Sequence, residues 1–230
     1  ILAIWKKHDR FCPGKENSAN IMKHILLHGL GQTSSSWEKV LGGMDDSLDI
    51  DCPDLFSLLR GRKVTYPELY KGFSEYCKAC PEPVHLCGLS LGGILALQYG
   101  IENPDKVASM VLIGIQYVMP KRLLKFQNAV FHMMPSSSFR QMGLAKKDVL
   151  SLTSSMMELD FRQDLHRITC PVLVVCGEKD RANMKAAAEL EALLPSAELK
   201  MIPNAGHEVN TDAPEKLSMV LNNKTYHLSA

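Results

Sequence analysis

Apolar and polar positions along this chain alternate between two rhythms. Six short runs are dominated by apolar and β-branched residues: HILLHG (24–29), LDIDCP (48–53), VHLCGLS (84–90), VASMVLIGI (107–115), PVLVVCG (171–177) and ELKMIP (198–203). Four of them are nearly continuous apolar runs, the pattern of parallel strands covered on both faces. Between them the spacing becomes helical over 67–79, 91–103, 184–194 and 213–223. Pro81, Pro104 and Pro195 fall just past three of these stretches, where a residue with no amide hydrogen ends a helix. Strand and helix in alternation imply βαβ units, and hence a mostly parallel sheet flanked by helices in a three-layer α/β sandwich.

One stretch departs from the rhythm. Residues 117–167 contain no strand pattern, only helix-like segments rich in Met, Leu and Phe. They read as a small helical insertion lying over the sheet, which divides the chain into a core of 1–116 and 168–230 and a cap of 117–167. The first twenty residues carry only a weak β-hairpin pattern.

Composition narrows the functional classes. At 230 residues with 46% apolar and 22% charged residues, the chain can bury a substantial core as one domain with an insertion. Twenty-six basic against twenty-five acidic residues leave a net charge of +1, which disfavours nucleic acid or an anionic membrane as partner. No apolar run reaches the ~20 residues of a membrane span. The N-terminal ILAIWKKHDRFCPG puts apolar before basic residues, the reverse of a secretory signal. Seven scattered cysteines, an odd number, suggest reduced thiols and a cytoplasmic location.

Candidate chemistry centres on HLCGLSLGGIL, residues 85–95, where Ser90 stands at a junction from strand to helix. A sharp turn there lifts the serine clear of the sheet on a strained backbone. The residues two before and two after then crowd each other and must be very small, as Gly88 and Gly92 are, while Gly93 lets the helix approach closely. The same turn sets the Leu91 N–H at a helix N-terminus, able to donate to a developing oxyanion.

A serine hydroxyl is a weak nucleophile without a base, and the base needs an orienting acid. Of eight histidines, His207 in PNAGHEVN has the right context, a loop after the last strand with Ala-Gly before it. His85 belongs to the strand leading to Ser90 and His28 ends the first strand, while His8, His24, His132, His166 and His227 have no suitable setting. For the acid, VLVVCGEKD ends a strand in a turn bearing Glu178 and Asp180, and Asp180 is preferred. The order Ser, Asp, His then matches one of the known serine-hydrolase arrangements.

From about Met22 to Asn222 the chain resembles the α/β-hydrolase superfamily. LLHGLGQTSSSW is similar to its His-Gly loop, CPDL to its following strand end, GLSLGG to its nucleophile elbow, and GEKD and NAGHE to its acid and histidine turns. The resemblance implies the α/β-hydrolase fold and an oxyanion hole in which the Leu30 N–H joins that of Leu91. It places the chain near small esterases, enol-lactonases and C–C hydrolases with a helical cap. The expected activity is hydrolysis of a small or medium carboxylic ester, lactone or thioester through an acyl-enzyme, with a small-molecule substrate and neither metal nor organic cofactor. Two alternatives share the site: a C–C hydrolase or lyase on a carboxylated metabolite, for which Lys121, Arg122 or Arg140 would supply a cation, and a ligand-binding receptor. The family often has a glycine-rich turn after its PDL, but FSLLRGRKVTYPEL follows here.

Cys77, Cys80, His85 and Cys87 in CKACPEPVHLC are spaced suggestively for zinc, but a helix end and an extended central strand would not converge on one ion. A redox role for the C-x-x-C pair is weaker still, because the dipole at a helix C-terminus does not stabilise thiolate. Met119, Met133, Met134, Met142, Met156 and Met157, with Phe126 and Phe131, are candidate pocket residues if the insertion forms a cap.

Overall fold

The computed structural model describes residues 22–142 and 144–222, residues 123 and 140–142 by their backbone alone. The weak hairpin of the first twenty residues, His8 and His227 lie outside the described residues.

Six parallel strands form one sheet: β1 (His24–Leu27), β2 (Ile50–Asp51), β3 (Val84–Leu89), β4 (Val107–Ile113), β5 (Val172–Gly177) and β6 (Ala197–Ile202), in the order β2-β1-β3-β4-β5-β6. The four near-continuous apolar runs become β1, β3, β4 and β5, whose residues are buried almost without exception. The run at 48–53 pairs over only two residues, His24 opposite Ile50 and Ile25 opposite Asp51. It is an edge strand whose Asp49 and Asp51 flank Lys23 and whose continuation meets Pro53, which has no amide hydrogen to give. β6, at the opposite edge, keeps the alternating burial of a half-exposed strand.

Helices cover both faces. Tyr66–Lys78 (after the short α1, Glu38–Leu41) is α2, and Leu91–Glu102 is α3. With α6 (Met184–Leu193) they pack Leu69, Phe73, Leu95, Tyr99 and Leu190 against Ile25, Leu86, Leu112 and Val174. The alternate strand residues Leu26, Cys87, Val111 and Val175 face the other way. There they meet Trp37, Val40 of α1, Val209 of α7 (Val209–Asp212) and Leu217 of α8 (Pro214–Leu221). Period-two side chains thus feed two separate cores from one sheet.

The segment between β4 and β5 carries α4 (Lys121–Met133) and α5 (Lys146–Ser155). Its two ends are clipped together: Val118 bridges Asp160, Met119 N–H donates to the Leu159 carbonyl at 3.0 Å and Phe161 N–H to that of Tyr117 at 2.9 Å. Among the described residues of 117–167 this bridge is the strand pairing that the apolar pattern does not show. Asn128 joins the two helices, accepting from Thr153 Oγ1 at 2.6 Å and donating to Ser154 Oγ at 3.1 Å.

Chain order reverses direction across the sheet at β1, whose successors β2 and β3 lie on opposite sides of it. In open parallel sheets such a switch point leaves a crevice beyond the strands' C-terminal ends. The residues after β1, β3, β4 and β5 converge there. Among the described residues no helix is long and apolar enough to cross a membrane.

Candidate active site

Ser90 has φ 52° and ψ −114°, a conformation L-residues rarely adopt, between the last residue of β3 and the first of α3. Its N–H donates to the Ile113 carbonyl at 2.8 Å, which fastens the elbow to β4. A Cβ on Gly88 would lie 2.4 Å from the Gly92 carbonyl carbon, one on Gly92 would lie 2.5 Å from the Leu27 carbonyl oxygen, and one on Gly93 would meet Ile115 at 2.4 Å. Each contact is well inside van der Waals range, so the glycines around the serine are demanded by the turn. Leu91 opens α3, and the first N–H groups of a helix have no acceptor within it.

Asp180 and His207 come from the ends of β5 and β6. A Cβ on Gly177 would sit 2.0 Å from the Gly206 carbonyl oxygen, so a glycine there lets the histidine loop close over β5. Lys179 N–H donates to the Ala205 carbonyl at 2.8 Å, Asn204 N–H to Glu178 Oε2 at 2.9 Å, and Gly206 N–H to Asp212 Oδ2 at 2.7 Å. His207 is thereby held with Nδ1 2.8 Å from Asp180 Oδ2. Asp180 is buried, whereas Glu178 is exposed and serves the loop backbone.

Asn183 completes this pair. Its Nδ2 lies 2.9 Å from Oδ1 and 2.8 Å from Oδ2 of Asp180, and the Gln116 side-chain N–H donates to its Oδ1 at 2.9 Å, fixing which end of the amide faces the carboxylate. Burial pushes Asp180 up, but the hydrogen bonds from His207 and Asn183 outweigh it and leave the carboxyl below its ordinary range. The same hydrogen bond to Asp180 raises His207 above its ordinary value against the opposing effect of burial. With Nδ1–H committed to Asp180, Nε2 of the neutral ring is the atom left to accept a proton.

Gly114 has φ 58°, and a Cβ there would lie 3.0 Å from His207 Nδ1 and 3.2 Å from Asp180 Oδ2. It clears the floor on which the pair rests. Gly29, on the other side, would bring a Cβ within 3.6 Å of the Ser90 Cβ, so the His-Gly loop passes directly beside the serine.

His28 itself is fully buried and works on the backbone. Nδ1–H donates to the Gly29 carbonyl at 2.9 Å while Nε2 accepts the Leu55 N–H at 3.0 Å, a neutral tautomer that agrees with a value lowered chiefly by burial. Gln32 and Asn210 exchange two amide hydrogen bonds, each at 3.2 Å, tying this loop to the segment after His207.

One pocket of about 490 Å³ collects these parts: Leu30, Ser90, Leu91, Gly114, Gln116, Asp180, Asn183 and His207 all line it. Its remaining wall comes from Ile94, from Ala182 and from the β4–β5 segment through Met119, Pro120, Leu124, Gln127, Phe131, Thr153 and Met156.

A family model described as "Alpha/beta hydrolase family" matches residues 25–219. The chain belongs to the alpha/beta hydrolase family. Its curated relatives include hydrolases of more than one kind and a protein named as a putative synthase. A 2-hydroxy-6-oxononadienedioate/2-hydroxy-6-oxononatrienedioate hydrolase of Cupriavidus pinatubonensis is 24% identical, over 80% of this chain and 79% of the relative. A pimeloyl-acyl-carrier-protein methyl ester esterase of Nitrosomonas europaea is 23% identical, over 87% and 94%. Among solved structures, a thermophilic esterase from Thermogutta terrifontis superposes with a TM-score of 0.73 at 19% identity, covering 90% of this chain and 91% of that one.

Within this alpha/beta hydrolase the five residues singled out from sequence, Leu30, Ser90, Leu91, Asp180 and His207, all reach the same pocket. Met119, Met156 and Phe131 reach it too, whereas Phe126 and Met133 point to solvent, and Met134 and Met157 are half-buried. The suggested cations do not enter: Lys121 pairs with Glu158 outside the pocket, and Arg122 is exposed. Arg140 and Met142 are described by their backbone alone. Cys77 and Cys87 pack on opposite faces of the sheet, so the CKACPEPVHLC residues cannot enclose one ion. His85 Nδ1 instead hydrogen-bonds with Ser109 Oγ at 2.8 Å.

Gly114, Gln116 and Asn183 are missed by the motif reading. Asn183 stands at the N-cap of α6, where sequence alone assigns it to capping, but its side chain makes no cap hydrogen bond and turns to Asp180. The signal present in sequence is its spacing, three residues beyond the acid on the same turn.

Proposed function

We propose that this alpha/beta hydrolase is a serine hydrolase that cleaves small or medium carboxylic esters through an acyl-enzyme. The observation that carries the reading is the meeting, in one pocket, of a strained serine elbow with a histidine whose Nδ1 is committed to a buried carboxylate. Ser90 Oγ attacks the ester carbonyl carbon as its proton passes to His207 Nε2. The oxyanion accepts hydrogen bonds from the N–H groups of Leu30 and Leu91. The tetrahedral intermediate collapses with the C–O bond to the alcohol breaking, and the imidazolium protonates that oxygen. Water then attacks the acyl carbonyl, giving its proton to His207, and Ser90 leaves with that proton restored. Asp180 holds the imidazole in the useful tautomer and stabilises its charged form. Residues 117–167 act as the cap over a core of 1–116 and 168–230, and the free cysteines support a reducing, cytoplasm-like compartment.

The same groups could cleave a C–C bond in a carboxylated substrate. That reading lacks support where it needs it, because no Lys or Arg is among the described residues lining the pocket. Leu30, Leu91, Ile94, Met119, Leu124, Phe131 and Met156 suit an uncharged acyl or alcohol chain.

The test is turnover of p-nitrophenyl esters of graded chain length, with fluorophosphonate labelling followed by peptide mapping. One adduct on the peptide containing Ser90, and loss of both labelling and turnover in Ser90→Ala, are expected. Adducts elsewhere, or undiminished turnover by Ser90→Ala, overturn the mechanism. A tightly retained ligand released without turnover would favour a receptor.

A further inference from the structure

The near-neutral net charge conceals a strong local asymmetry. Between Lys121 and Lys147 the sequence contains six lysines and arginines and no aspartate or glutamate; the rest of the chain has 20 basic residues against 25 acidic. This basic stretch includes α4, and α4 has two apolar faces. Leu124, Gln127 and Phe131 turn inward and line the pocket. Phe126, Val130 and Met133, spaced by four and then three residues, form a second stripe that is 68%, 36% and 83% exposed. Arg122 and Lys125, both exposed, stand within one turn of Phe126. Lys121 is engaged with Glu158, and Lys146 donates to the carbonyls of His132 and Met134 at the helix end.

We propose that this outer face of α4 docks the protein on an anionic lipid surface, with Phe126, Val130 and Met133 entering the headgroup boundary and Arg122 and Lys125 meeting lipid phosphates. A short helix with an apolar stripe bordered by cations and no acidic residue is suited to lie in such an interface. The charge selects the occupant, since a neutral apolar partner would gain nothing from a stretch carrying six cations. The placement also has a use. The helix is about 10 Å across, so an ester leaving the lipid on one side of α4 would be close to the pocket on the other. Binding itself does not depend on the hydrolase reading, although the benefit to substrate capture does.

Co-sedimentation with vesicles of ether-linked lipids, which no esterase can consume, tests the proposal on the full chain and on Ser90→Ala alike. Vesicles with about 30% phosphatidylglycerol should retain the protein at least tenfold better than phosphatidylcholine alone, with the difference fading at high salt. Reversing one cation, Arg122→Glu or Lys125→Glu, should weaken retention by about fivefold or more. The pair Phe126→Ser and Met133→Ser should weaken it by about tenfold or more. The thermal midpoint of each variant must stay near the parent's, which separates lost docking from lost folding. Equal retention on both vesicle types, or parental retention by the serine pair, overturns the proposal. So does a dimer in sedimentation velocity that the serine pair dissolves, because the stripe would then serve a second copy. Loss of esterase activity in Ser90→Ala with retention unchanged is expected; absence of esterase activity in the parent would sink the hydrolase reading and leave docking standing.

Discussion

Replacing Asn183 with alanine should change the stability of the fold and the pH dependence of turnover together, in directions set by its two contacts with Asp180. The amide nitrogen lies 2.9 and 2.8 Å from the two oxygens of a buried carboxylate, and Gln116 fixes its orientation. A hydrogen bond to a charged group contributes about 1.5–3 kcal/mol net, so alanine should cost about 2 kcal/mol at neutral pH, or about 4–8 °C in the thermal midpoint for a chain of this size. Asp180 sits below its ordinary value in the folded protein. Its contribution to stability is therefore present above the unfolded carboxylate value and is lost as the pH falls through the folded one. The gap between parent and variant should accordingly narrow in acid, where a protonated Asp180 no longer needs the donors. His207 moves the other way. With Asn183 gone, the negative charge on Asp180 is less neutralised and holds the imidazolium more tightly, so a value already raised rises further. Since only the neutral ring can act as base, the acid limb of kcat/KM should shift to higher pH, with activity partly recovered in mild alkali. Urea unfolding across pH and a kcat/KM profile on a short p-nitrophenyl ester measure both effects. An acid limb that stays in place or moves down, with unchanged stability, would refute the role given to these hydrogen bonds.

The two acids of the β5 turn should separate cleanly. Asp180→Asn leaves the imidazole in the wrong tautomer and should lower kcat by about 10⁴-fold, while Glu178→Gln, which keeps an acceptor for the exposed Asn204 N–H and loses only the charge, should stay within about fivefold; equal losses would reverse the assignment. Gly114→Ala puts an L-residue at φ 58° and a methyl 3.0 Å from His207 Nδ1, so kcat should drop by about a hundredfold through misplacement of the imidazole, and undiminished turnover would show that the ring rests elsewhere. Phe131→Ala and Met156→Ala should alter the ratio of kcat/KM values across the ester series, whereas Met219→Ala, on the exposed side of α8, should leave it alone. Ratios that never change would make residues 117–167 a structural cover without a share in specificity.

Four buried strands were legible because parallel strands covered on both faces have few polar positions to confuse the pattern. The edge strand at Ile50–Asp51 was overextended because its length is set by pairing with β1, which no local pattern encodes. Ser90 was legible for a steric reason: at 88, 92 and 93 a Cβ would meet its nearest atoms at 2.4–2.5 Å, so each position requires glycine. Asn183 and Gln116 were not, since an asparagine at a helix start and a glutamine after a strand have ordinary local explanations. Their direction is decided by the position of Asp180. The same limit hid the charge of α4, which averages away in the whole chain, and left Met119 and Met156 indistinguishable from Met133 until the segment between β4 and β5 had a pocket on one side.

The turns after β4, β5, β6 and β1 belong to no common element, yet amide and carboxylate side chains link each to the next. Gln116, just after β4, holds Asn183 on the acid turn; Glu178 on that turn holds Asn204 in the histidine loop; Asn210, beyond the histidine, exchanges hydrogen bonds with Gln32 in the His-Gly loop. Breaking a buried amide pair by removing one partner leaves the other unsatisfied, at a cost of about 1–3 kcal/mol, so these turns resist moving independently. The pocket ceiling is made differently, from Met119, Leu124, Phe131 and Met156, whose contacts are non-directional and adapt to shape. A fixed floor and an adaptable ceiling divide the work. On the proposed mechanism, donors and base stay where charge develops in the transition state, while the ceiling can change its substrate without disturbing them. Specificity should therefore be alterable from the 117–167 side at little cost to chemistry, whereas substitutions at the floor should reduce turnover for every ester alike.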